Sequence, residues 1–294
     1  MTGPRRPRFS VVIPAYNEAE YLAGALRSLA RQDFSGDYEV IVVDNGSTDA
    51  TARIALEHGA RLVYEPEAGV CHARQAGTAC ASGEIVVSTD ADTAFPPSWL
   101  STIDREFRAR PSCVAVAGPC TFPDGPWWGV AYSAVLFAVV AAVARVTGRV
   151  LYVTATNLAF RATAFDGYDV RLTQGGDELD LLRRLRARGT VAFVRTNPTL
   201  TSARRLRRGL VYNVVVSFLY HYLLAYLANR IAHRTVLRTA PAFRTETAPR
   251  PVHTKITLAL AVSTLCLLAG LFLPDTRQIG PGLEATLDAV QRYF

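Results

Sequence analysis

The sequence contains little charge and almost no lysine. Only 19% of its 294 residues are charged and 50% are hydrophobic, whereas an ordinary soluble domain has about 25% charged residues. This composition excludes a disordered chain, a collagen and a coiled coil, and it indicates that some apolar surface faces something other than water. Lys255 is the single lysine, so arginine carries nearly all of the positive charge behind the net value of +7.

The sequence shows no cysteine framework, and its first residues do not predict a leader. Its five cysteines include no C-x-x-C pair and are odd in number, which argues against a disulfide scaffold and favours a reducing compartment. The apolar run after the basic residues 1–10 ends at Pro14 and is too short for a signal peptide. We therefore expect the amino-terminal half to stay in the cytoplasm.

The pattern of residues 9–93 predicts an α/β fold. Short β-branched runs at residues 9–14, 38–44, 60–64 and 84–89 alternate with helical patterns at 19–31 and 49–58. Continuous Val and Ile runs are typical of strands covered on both faces. The alternation predicts a mostly parallel central sheet flanked by helices, as in a Rossmann-like nucleotide-binding half.

The rest of the chain divides at about residue 208. Before it, residues 151–160 and 190–194 predict strands and residues 178–188 predict a helix. After it come an apolar stretch at 209–228, a Pro/Arg/Thr-rich linker at 229–255, and 18 uncharged residues at 256–273.

Two polar turns follow the first two predicted strands. They are P-A-Y-N-E at residues 14–18 and D-N-G-S-T-D at residues 44–49. In open α/β sheets, ligands bind at the carboxyl ends of the strands, and the free N–H groups at a helix start suit an anion or a carboxylate cap. Each turn taken alone is equally well explained as a strand-to-helix connection.

Two pairs of acids are the candidate chemical groups. Asp90 and Asp92 follow the fourth predicted strand and share one face, so both can approach one hard cation with its diphosphate. Asp177 and Glu178 stand in the first turn of a predicted helix, where a carboxylate can point into a cleft and act as a general base. A solvated turn and helix capping explain the same patterns when each is taken alone.

Taken in order, these segments resemble a known family. The run VVIPAYNEA, the D-x-G-S-x-D turn at residues 44–49, the segment GVCHARQAGTACASGEIVVSTDAD and the run GGDELDLLRRL are together similar to the family 2 glycosyltransferases of the GT-A fold. The resemblance implies a catalytic domain over residues 1–208, with a nucleotide-sugar-binding half at about 9–93 and an acceptor half at about 94–208. Residues 209–294 then form a membrane-associated helical region.

The resemblance also implies the ligand contacts. The implied contacts of a nucleotide-sugar, a UDP- or GDP-sugar in particular, are Pro14, Ala15, Tyr16, Glu18, Asp44, Gly46, Arg74, Asp90, Arg204 and Arg205. Arg74 is implied to lie near the diphosphate or to shape the pocket. Asp92, with Asp90 beside it, is implied as the ligand of Mg²⁺ or Mn²⁺. Gln75 stands where the family usually has Asn, which leaves the local hydrogen bonding open.

Two features of the family pattern differ or are ambiguous here. The family's acid pair near the acceptor is usually Glu-Asp and is Asp177-Glu178 in this chain, so the catalytic base falls on Glu178 with Asp177 as the alternative. Arg204 and Arg205 resemble the family's late basic motif, and membrane anchoring explains them equally well. The resemblance implies inversion at the anomeric centre without a covalent intermediate.

Three apolar segments predict membrane contact with the catalytic domain on the cytoplasmic side. Residues 129–144, introduced by Trp127-Trp128, are short for a span and predict an interfacial helix or, equally, a buried core helix. Residues 209–228 have arginines at both ends, which favours an interfacial helix. Residues 256–273 are long enough to span the bilayer, and a two-helix hairpin is the alternative.

The sequence therefore predicts an inverting, metal-dependent glycosyltransferase of the cell envelope that transfers a hexose or related sugar to a hydroxyl of a lipid-linked or other glycan acceptor. A polyprenyl-phosphate glycosyltransferase and a non-catalytic nucleotide-sugar-binding membrane subunit are the alternatives. A polyprenyl phosphate is already an anion and needs no base, so the apparent base favours a hydroxyl acceptor. Nucleic acid is not expected as a partner, because the arginines lack interleaved aromatic residues.

Overall fold

A computed structural model describes residues 6–172 and 177–209, without the side chains at 207 and 208. Its strands are β1 (Phe9–Ala15), β2 (Tyr38–Asp44), β3 (Arg61–Tyr64), β4 (Ile85–Ser88), β5 (Thr93–Ala94), β6 (Cys113–Ala117), β7 (Cys120–Thr121), β8 (Leu158–Arg161), β9 (Thr190–Phe193) and β10 (Thr199–Thr201). Its α-helices are α1 (Leu22–Leu29), α2 (Thr51–Glu57), α3 (Val70–Ala79), α4 (Trp99–Ala109), α5 (Trp127–Thr147) and α6 (Asp177–Arg188).

A seven-stranded sheet with the order β3-β2-β1-β4-β8-β6-β9 forms the centre of the fold. β1 to β4 run parallel to one another, β8 is antiparallel to both of its neighbours, and β9 is parallel to β6. A small sheet with the order β5-β10-β7 lies beside it. The prediction of an α/β fold with a mostly parallel central sheet is confirmed.

Alternating side chains of the strands supply two hydrophobic cores, one on each face of the sheet. In β1, Val11 and Ile13 join one core and Val12 joins the other, because successive side chains of a strand point to opposite faces. The first core includes residues of α1, α2 and α4, and the second includes residues of α3, α5 and α6. This double cover explains why the strands read as continuous apolar runs.

One predicted strand is wrong over most of its length. Residues 151–160 were expected to be a strand, but β8 begins only at Leu158 and residues 155–157 form a 3₁₀ turn. Asn157 explains the turn, because its side chain donates to the carbonyls of Pro119 (2.9 Å) and Asn197 (2.8 Å) and accepts a bond from the Trp99 indole (2.9 Å). These buried bonds require the backbone to leave the sheet before residue 158.

Helix α5 is longer and more exposed than predicted. It has 21 residues rather than the 16 expected at 129–144, and it is long and apolar enough to cross a membrane by length and composition. Only 22% of its most apolar window is buried, and Trp127 is 83% exposed. A buried core helix is therefore excluded, because one face packs on the core through Phe137 and Val140 while the other faces outward.

The remaining membrane predictions lie outside the described residues. These are the apolar stretch 209–228 beyond Gly209, the linker 229–255 and the candidate transmembrane helix 256–273. The glycine pair at 175 and 176 also lies outside them. The domain boundary at residue 208 stays a prediction.

Candidate active site

A cavity opens at the carboxyl ends of β1, β2 and β4. Of the predicted ligand contacts, the structure brings eight to its wall, namely Pro14, Ala15, Tyr16, Glu18, Asp90, Asp92, Arg204 and Arg205. The parallel order of the three strands causes this meeting, since their carboxyl ends share one edge of the sheet. The turn after β1, the Asp-x-Asp segment after β4 and the late basic motif are thus one site, although up to 190 residues separate them in sequence.

Asp44 and Gly46 do not line the cavity, although their neighbour Asn45 does. The Asp44 carboxylate is buried and accepts a bond from the Ser47 amide (2.9 Å), and Gly46 takes a φ of +79°, which favours glycine. The Asn45 side chain donates to the carbonyls of residues 65 and 67 and accepts a bond from the Gly69 amide (2.9 Å), so it holds the loop that leads into α3.

Arg74 forms the centre of a buried ionic cluster, which we call the inner cluster and define as Arg74, Asp90, Asp177 and Glu178. The Arg74 side chain is 2% exposed; its Nη2 lies 2.9 Å from Asp90 Oδ1, and its Nη1 bonds to Asp177 Oδ2. This burial fits the second role implied for Arg74, which is shaping the pocket. The inner cluster joins the Asp-x-Asp segment to the acid pair at the start of α6.

The two acids of the inner cluster at α6 have opposite protonation preferences. Burial would raise the pKa of Asp177, but the Arg74 guanidinium and a hydrogen bond from Glu178 outweigh it and lower that pKa. Burial raises the pKa of Glu178 well above its ordinary value, and the neighbouring Asp177 carboxylate raises it further. Asp177 is therefore the anion of the pair and Glu178 the carboxyl that retains a proton.

A second ionic cluster, the outer cluster, consists of Arg204, Glu18 and Asp92. The Arg204 guanidinium bonds to both oxygens of Glu18, with 2.9 Å between Nη1 and Oε2, and its Nε lies 3.0 Å from Asp92 Oδ2. It also lies over the Tyr21 ring, 5.1 Å from the centroid. The Arg204 side chain is 25% exposed, so this cluster is in contact with solvent.

The outer cluster brings two acids together in a partly buried environment. Burial raises the pKa of Glu18, although Arg204 opposes the effect. Burial also raises the pKa of Asp92, and the nearby Asp90 carboxylate adds to it. Arg204 has a raised pKa because the two acids outweigh its own desolvation. The Arg204 guanidinium therefore contacts two carboxylates beside a third, and Arg205 adds a weaker electrostatic attraction on Asp92.

The donor set on the cavity wall suits a hard divalent cation. Among the described residues, no group of three or more His, Cys, Asp or Glu side chains is placed to hold a metal alone. Mg²⁺ is nevertheless commonly held by one or two carboxylates together with substrate phosphates. Asp90 and Asp92 are two such carboxylates on one wall, so the residues fit a metal that arrives with a diphosphate.

Several wall residues were missed by the sequence analysis. His72, Val170 and Leu172 line the cavity, as do residues 68–70 at the start of α3. His72 lies in the segment GVCHAR that carries the family resemblance, and this position was the available signal. Gln75 resolves the open hydrogen bonding beside Arg74, because its Oε1 accepts a bond from the Tyr168 amide (2.7 Å) and so holds the backbone at Tyr168.

The fold and the site define an α/β protein that binds its ligand where parallel strands end, next to paired carboxylates. The profile described as Glycosyl transferase family 2 matches residues 10–168, which is more than half of the chain. The chain belongs to this family, and the prediction of family 2 is confirmed.

Curated relatives are similar over part of their length. An uncharacterized glycosyltransferase of Mycobacterium tuberculosis is 42% identical over 100 residues, which are 33% of this chain and 44% of that protein. An undecaprenyl-phosphate 4-deoxy-4-formamido-L-arabinose transferase of Pseudomonas fluorescens is 38% identical over 107 residues, which are 33% of this chain and 31% of that protein. The matching part thus spans less than half the length of these relatives.

A solved structure extends the similarity over the whole fold. The mannosyltransferase PcManGT from Pyrobaculum calidifontis, in complex with GDP-Man and Mn²⁺, has a TM-score of 0.61 at 22% identity. The match covers 98% of this chain and 81% of that one. At this identity the similarity shows the fold, and it agrees with the predicted GT-A architecture.

Proposed function

We propose that the protein is an inverting, metal-dependent glycosyltransferase that moves a sugar from a UDP- or GDP-sugar to a hydroxyl of a lipid-linked or membrane-presented acceptor. The observation that carries this proposal is the meeting of Asp90 and Asp92 with the turn after β1 on one cavity wall. Arg74 then ties this wall to the acid pair at residues 177 and 178. Family membership supports the same activity.

The cavity wall supports donor binding in two ways. Ala15, Tyr16 and Asn45 offer a surface for the nucleoside at the ends of β1 and β2, and Arg204 and Arg205 offer cationic groups for the diphosphate. Guanidinium groups bind phosphate oxygens through paired N–H donors, which adds geometric specificity to the attraction. We assign the divalent cation to Asp92 with Asp90 beside it; when bound, it would neutralise charge on the departing diphosphate.

Proton transfer is assigned to the acid pair at the start of α6. In the proposed step the acceptor oxygen attacks the anomeric carbon, the bond to the diphosphate oxygen breaks, and the hydroxyl proton passes to Glu178. The Glu178 carboxyl must first pass its own proton to water, because burial and the neighbouring Asp177 carboxylate raise its pKa. Asp177 is held as an anion by Arg74 and positions Glu178 through the hydrogen bond between them.

Membrane association is part of the proposal and rests on α5. The outward face of α5 carries Val130, Val135, Val139 and Val146, all more than 40% exposed, and no charged side chain interrupts residues 127–144. Leu206, which directly follows the donor-site arginines 204 and 205, packs on Gly129 at the start of this helix. A bilayer that covers α5 would therefore lie next to the donor cavity, where a lipid-linked acceptor can reach it.

The pseudomonad relative supports a second candidate acceptor. Its name states transfer to undecaprenyl phosphate, and a polyprenyl phosphate needs no base to attack. The two acceptors differ in what Glu178 contributes. Replacement of Glu178 by Gln spares transfer to a phosphate acceptor and impairs transfer to a hydroxyl.

The test uses the detergent-solubilised full chain with a panel of UDP-, GDP- and dTDP-sugars, in Mn²⁺, Mg²⁺ or EDTA. We expect nucleotide release from one donor class and its loss in EDTA. Glu178→Gln should lower kcat for a hydroxyl acceptor by about 100- to 10,000-fold, the usual contribution of a general base, at unchanged nucleotide affinity. Glu57→Gln, which changes an exposed acid on α2, is the matched control.

Two results would contradict the proposal. The first is the absence of turnover with every donor and metal, together with an Asp92→Asn variant that binds nucleotide as tightly as the wild type. The second is nucleotide binding without turnover and without any effect of Glu178→Gln, which would favour the non-catalytic subunit.

A further inference from the structure

Arg204 stands where the proposed cation would have to bind. Asp92 is the carboxylate assigned to that cation, and its Oδ2 lies 3.0 Å from Arg204 Nε. The other edge of the same guanidinium bonds to both oxygens of Glu18. A protein side chain therefore supplies positive charge at the carboxylate that the cation would use.

The backbone around Arg204 allows this side chain to leave. Arg204 lies in a short 3₁₀ turn at residues 203–208, which follows β10. In this turn the Ala203 amide donates to the Asp124 carboxylate (3.0 Å) and the Arg204 amide donates to the Ser202 hydroxyl (3.3 Å). These bonds hold the main chain and do not involve the guanidinium, so the side chain can exchange its partners while the backbone stays in place. At 25% exposure, the Arg204 side chain can move into the cavity without breaking the core.

Departure of Arg204 alone would be costly. It would leave Glu18 and Asp92 without their shared partner, with Asp90 close by, in a place where burial already disfavours charge. A nucleoside diphosphate and a divalent cation together remove that cost. The diphosphate offers the guanidinium new acceptor oxygens, and the cation replaces its charge beside Asp92.

We propose that Arg204 and the divalent cation occupy Asp92 in turn, so that the metal site forms only when a nucleoside diphosphate draws Arg204 away. The proposal rests on the proposed function, because it takes the donor class and the cation from it. It assigns to Arg204 a positioning role beyond charge neutralisation: the residue makes metal binding dependent on nucleotide.

The test measures Mn²⁺ binding to the detergent-solubilised full chain from the electron paramagnetic resonance signal of free Mn²⁺. Each protein is titrated without nucleotide and with saturating UDP or GDP. Arg204→Gln removes the contact with Asp92. Arg205→Gln is the matched control, because Arg205 also lines the cavity and acts electrostatically on Asp92. Asp92→Asn checks where the cation binds.

We expect the nucleotide to raise the Mn²⁺ affinity of the wild type by a factor within the range of about 5 to 150 that is typical of coupled sites. Without nucleotide, Arg204→Gln should bind Mn²⁺ about tenfold more tightly than the wild type and lose most of the nucleotide dependence. Arg205→Gln should keep that dependence. Arg204→Lys, which keeps the charge but lacks the planar fork, should fall between Arg204→Gln and the wild type.

Two results would overturn this inference while the proposed function stands. They are equal nucleotide-free Mn²⁺ affinities of the wild type and Arg204→Gln, and an equal nucleotide-dependent gain in Mn²⁺ affinity in Arg204→Gln and Arg205→Gln. Mn²⁺ binding that survives Asp92→Asn would overturn this inference together with the assignment of the cation to Asp92. A wild type that binds neither nucleotide nor Mn²⁺ would overturn both proposals. Thermal unfolding of each variant confirms that the compared proteins are folded.

Discussion

The inner and outer clusters solve the same electrostatic problem in different ways. In each cluster, one arginine compensates acids that come from distant parts of the chain. Arg74 belongs to α3 and its side chain is 2% exposed. Arg204 belongs to the 3₁₀ turn at residues 203–208 and its side chain is 25% exposed. The inner arginine is enclosed by packing, and the outer one has a path to solvent.

This difference in burial indicates that Arg74 keeps its acid partners, whereas Arg204 can exchange its partners for a ligand. A buried ion pair is expensive to break because the remaining charge cannot return to water. Breaking the outer pair is also costly, because Glu18 and Asp92 are only 12% and 5% exposed, but a ligand that enters the cavity can replace the 25% exposed Arg204. The inner cluster can therefore hold Asp177 as an anion throughout a reaction cycle, and the outer cluster can give way to a ligand.

The largest expected effect is on stability at the inner cluster. Arg74→Met leaves Asp177 buried and uncompensated, so we expect a loss of about 3–5 kcal/mol in the free energy of unfolding. Arg204→Met should cost less than Arg74→Met, because the Arg204 side chain is 25% exposed and water can partly solvate the acids that remain. Urea titration of the full chain in mild detergent measures both values. Equal losses would remove the distinction between the clusters, and Asp177→Asn should restore part of the stability of Arg74→Met.

The second prediction concerns the pH dependence of stability. The folded-state pKa of Glu178 is raised, so the folded protein keeps a proton that the unfolded chain releases above about pH 4.5. Stability should therefore fall as the pH rises from about 4.5 through the folded-state pKa, by at most about 1.4 kcal/mol per pH unit. Asp177 acts in the opposite sense, since its lowered pKa contributes stability that is lost in acid.

Urea titrations across a pH series measure this dependence. Glu178→Gln cannot titrate and should show a shallower decline, to which Glu18 and Asp92 still contribute through their raised pKa values, while the exposed Glu57→Gln should keep the full decline. A decline of the same slope in Glu178→Gln would contradict the assignment of the retained proton to Glu178.

The third prediction tests the support of the inner cluster. Gln75→Ala removes the bond to the Tyr168 amide, which should cost about 1 kcal/mol in the free energy of unfolding, the usual net value of a hydrogen bond. It should also loosen the backbone at Tyr168, which hydrogen exchange of the Tyr168 amide measures. If the longer side chain of this sequence is matched to its loop, Gln75→Asn should exchange as fast as Gln75→Ala; exchange in Gln75→Asn at the wild-type rate would refute that match.

The smallest expected effect is at the outer cluster. Tyr21→Leu removes the ring beneath Arg204, and an exposed cation–π contact contributes about 0.5–1 kcal/mol. Its loss should favour release of Arg204 and raise the nucleotide-free Mn²⁺ affinity by about two- to fivefold. An unchanged or weaker Mn²⁺ affinity in Tyr21→Leu would show that the ring does not hold Arg204 in place.

Local patterns were sufficient to predict most of the strands and the order of the site motifs. Continuous Val and Ile runs predicted β1 to β4, because each strand carries its own double-sided apolar signal. The stretch 151–160 carries a similar signal, yet Asn157 bends it out of the sheet through bonds to residues far away in sequence. No local sequence pattern indicates that Trp99, Pro119 and Asn197 are the hydrogen-bond partners of Asn157. The length of α5 was underestimated for a related reason, since only the fold shows which residues continue the helix past the apolar run.

The sequence alone determined the family, the α/β class and the identity of the acids, since each depends on residues that are close together in the chain. The pairing of those acids with arginines was decided only by the tertiary structure. Arg74 is 103 residues from Asp177 and Arg204 is 186 residues from Glu18, and nothing in a one-dimensional pattern selects which guanidinium meets which carboxylate. Burial, which sets the cost of an unpaired charge, exists only once the chain is folded, and for that reason the contrast between a fixed and an exchangeable arginine belongs to the fold.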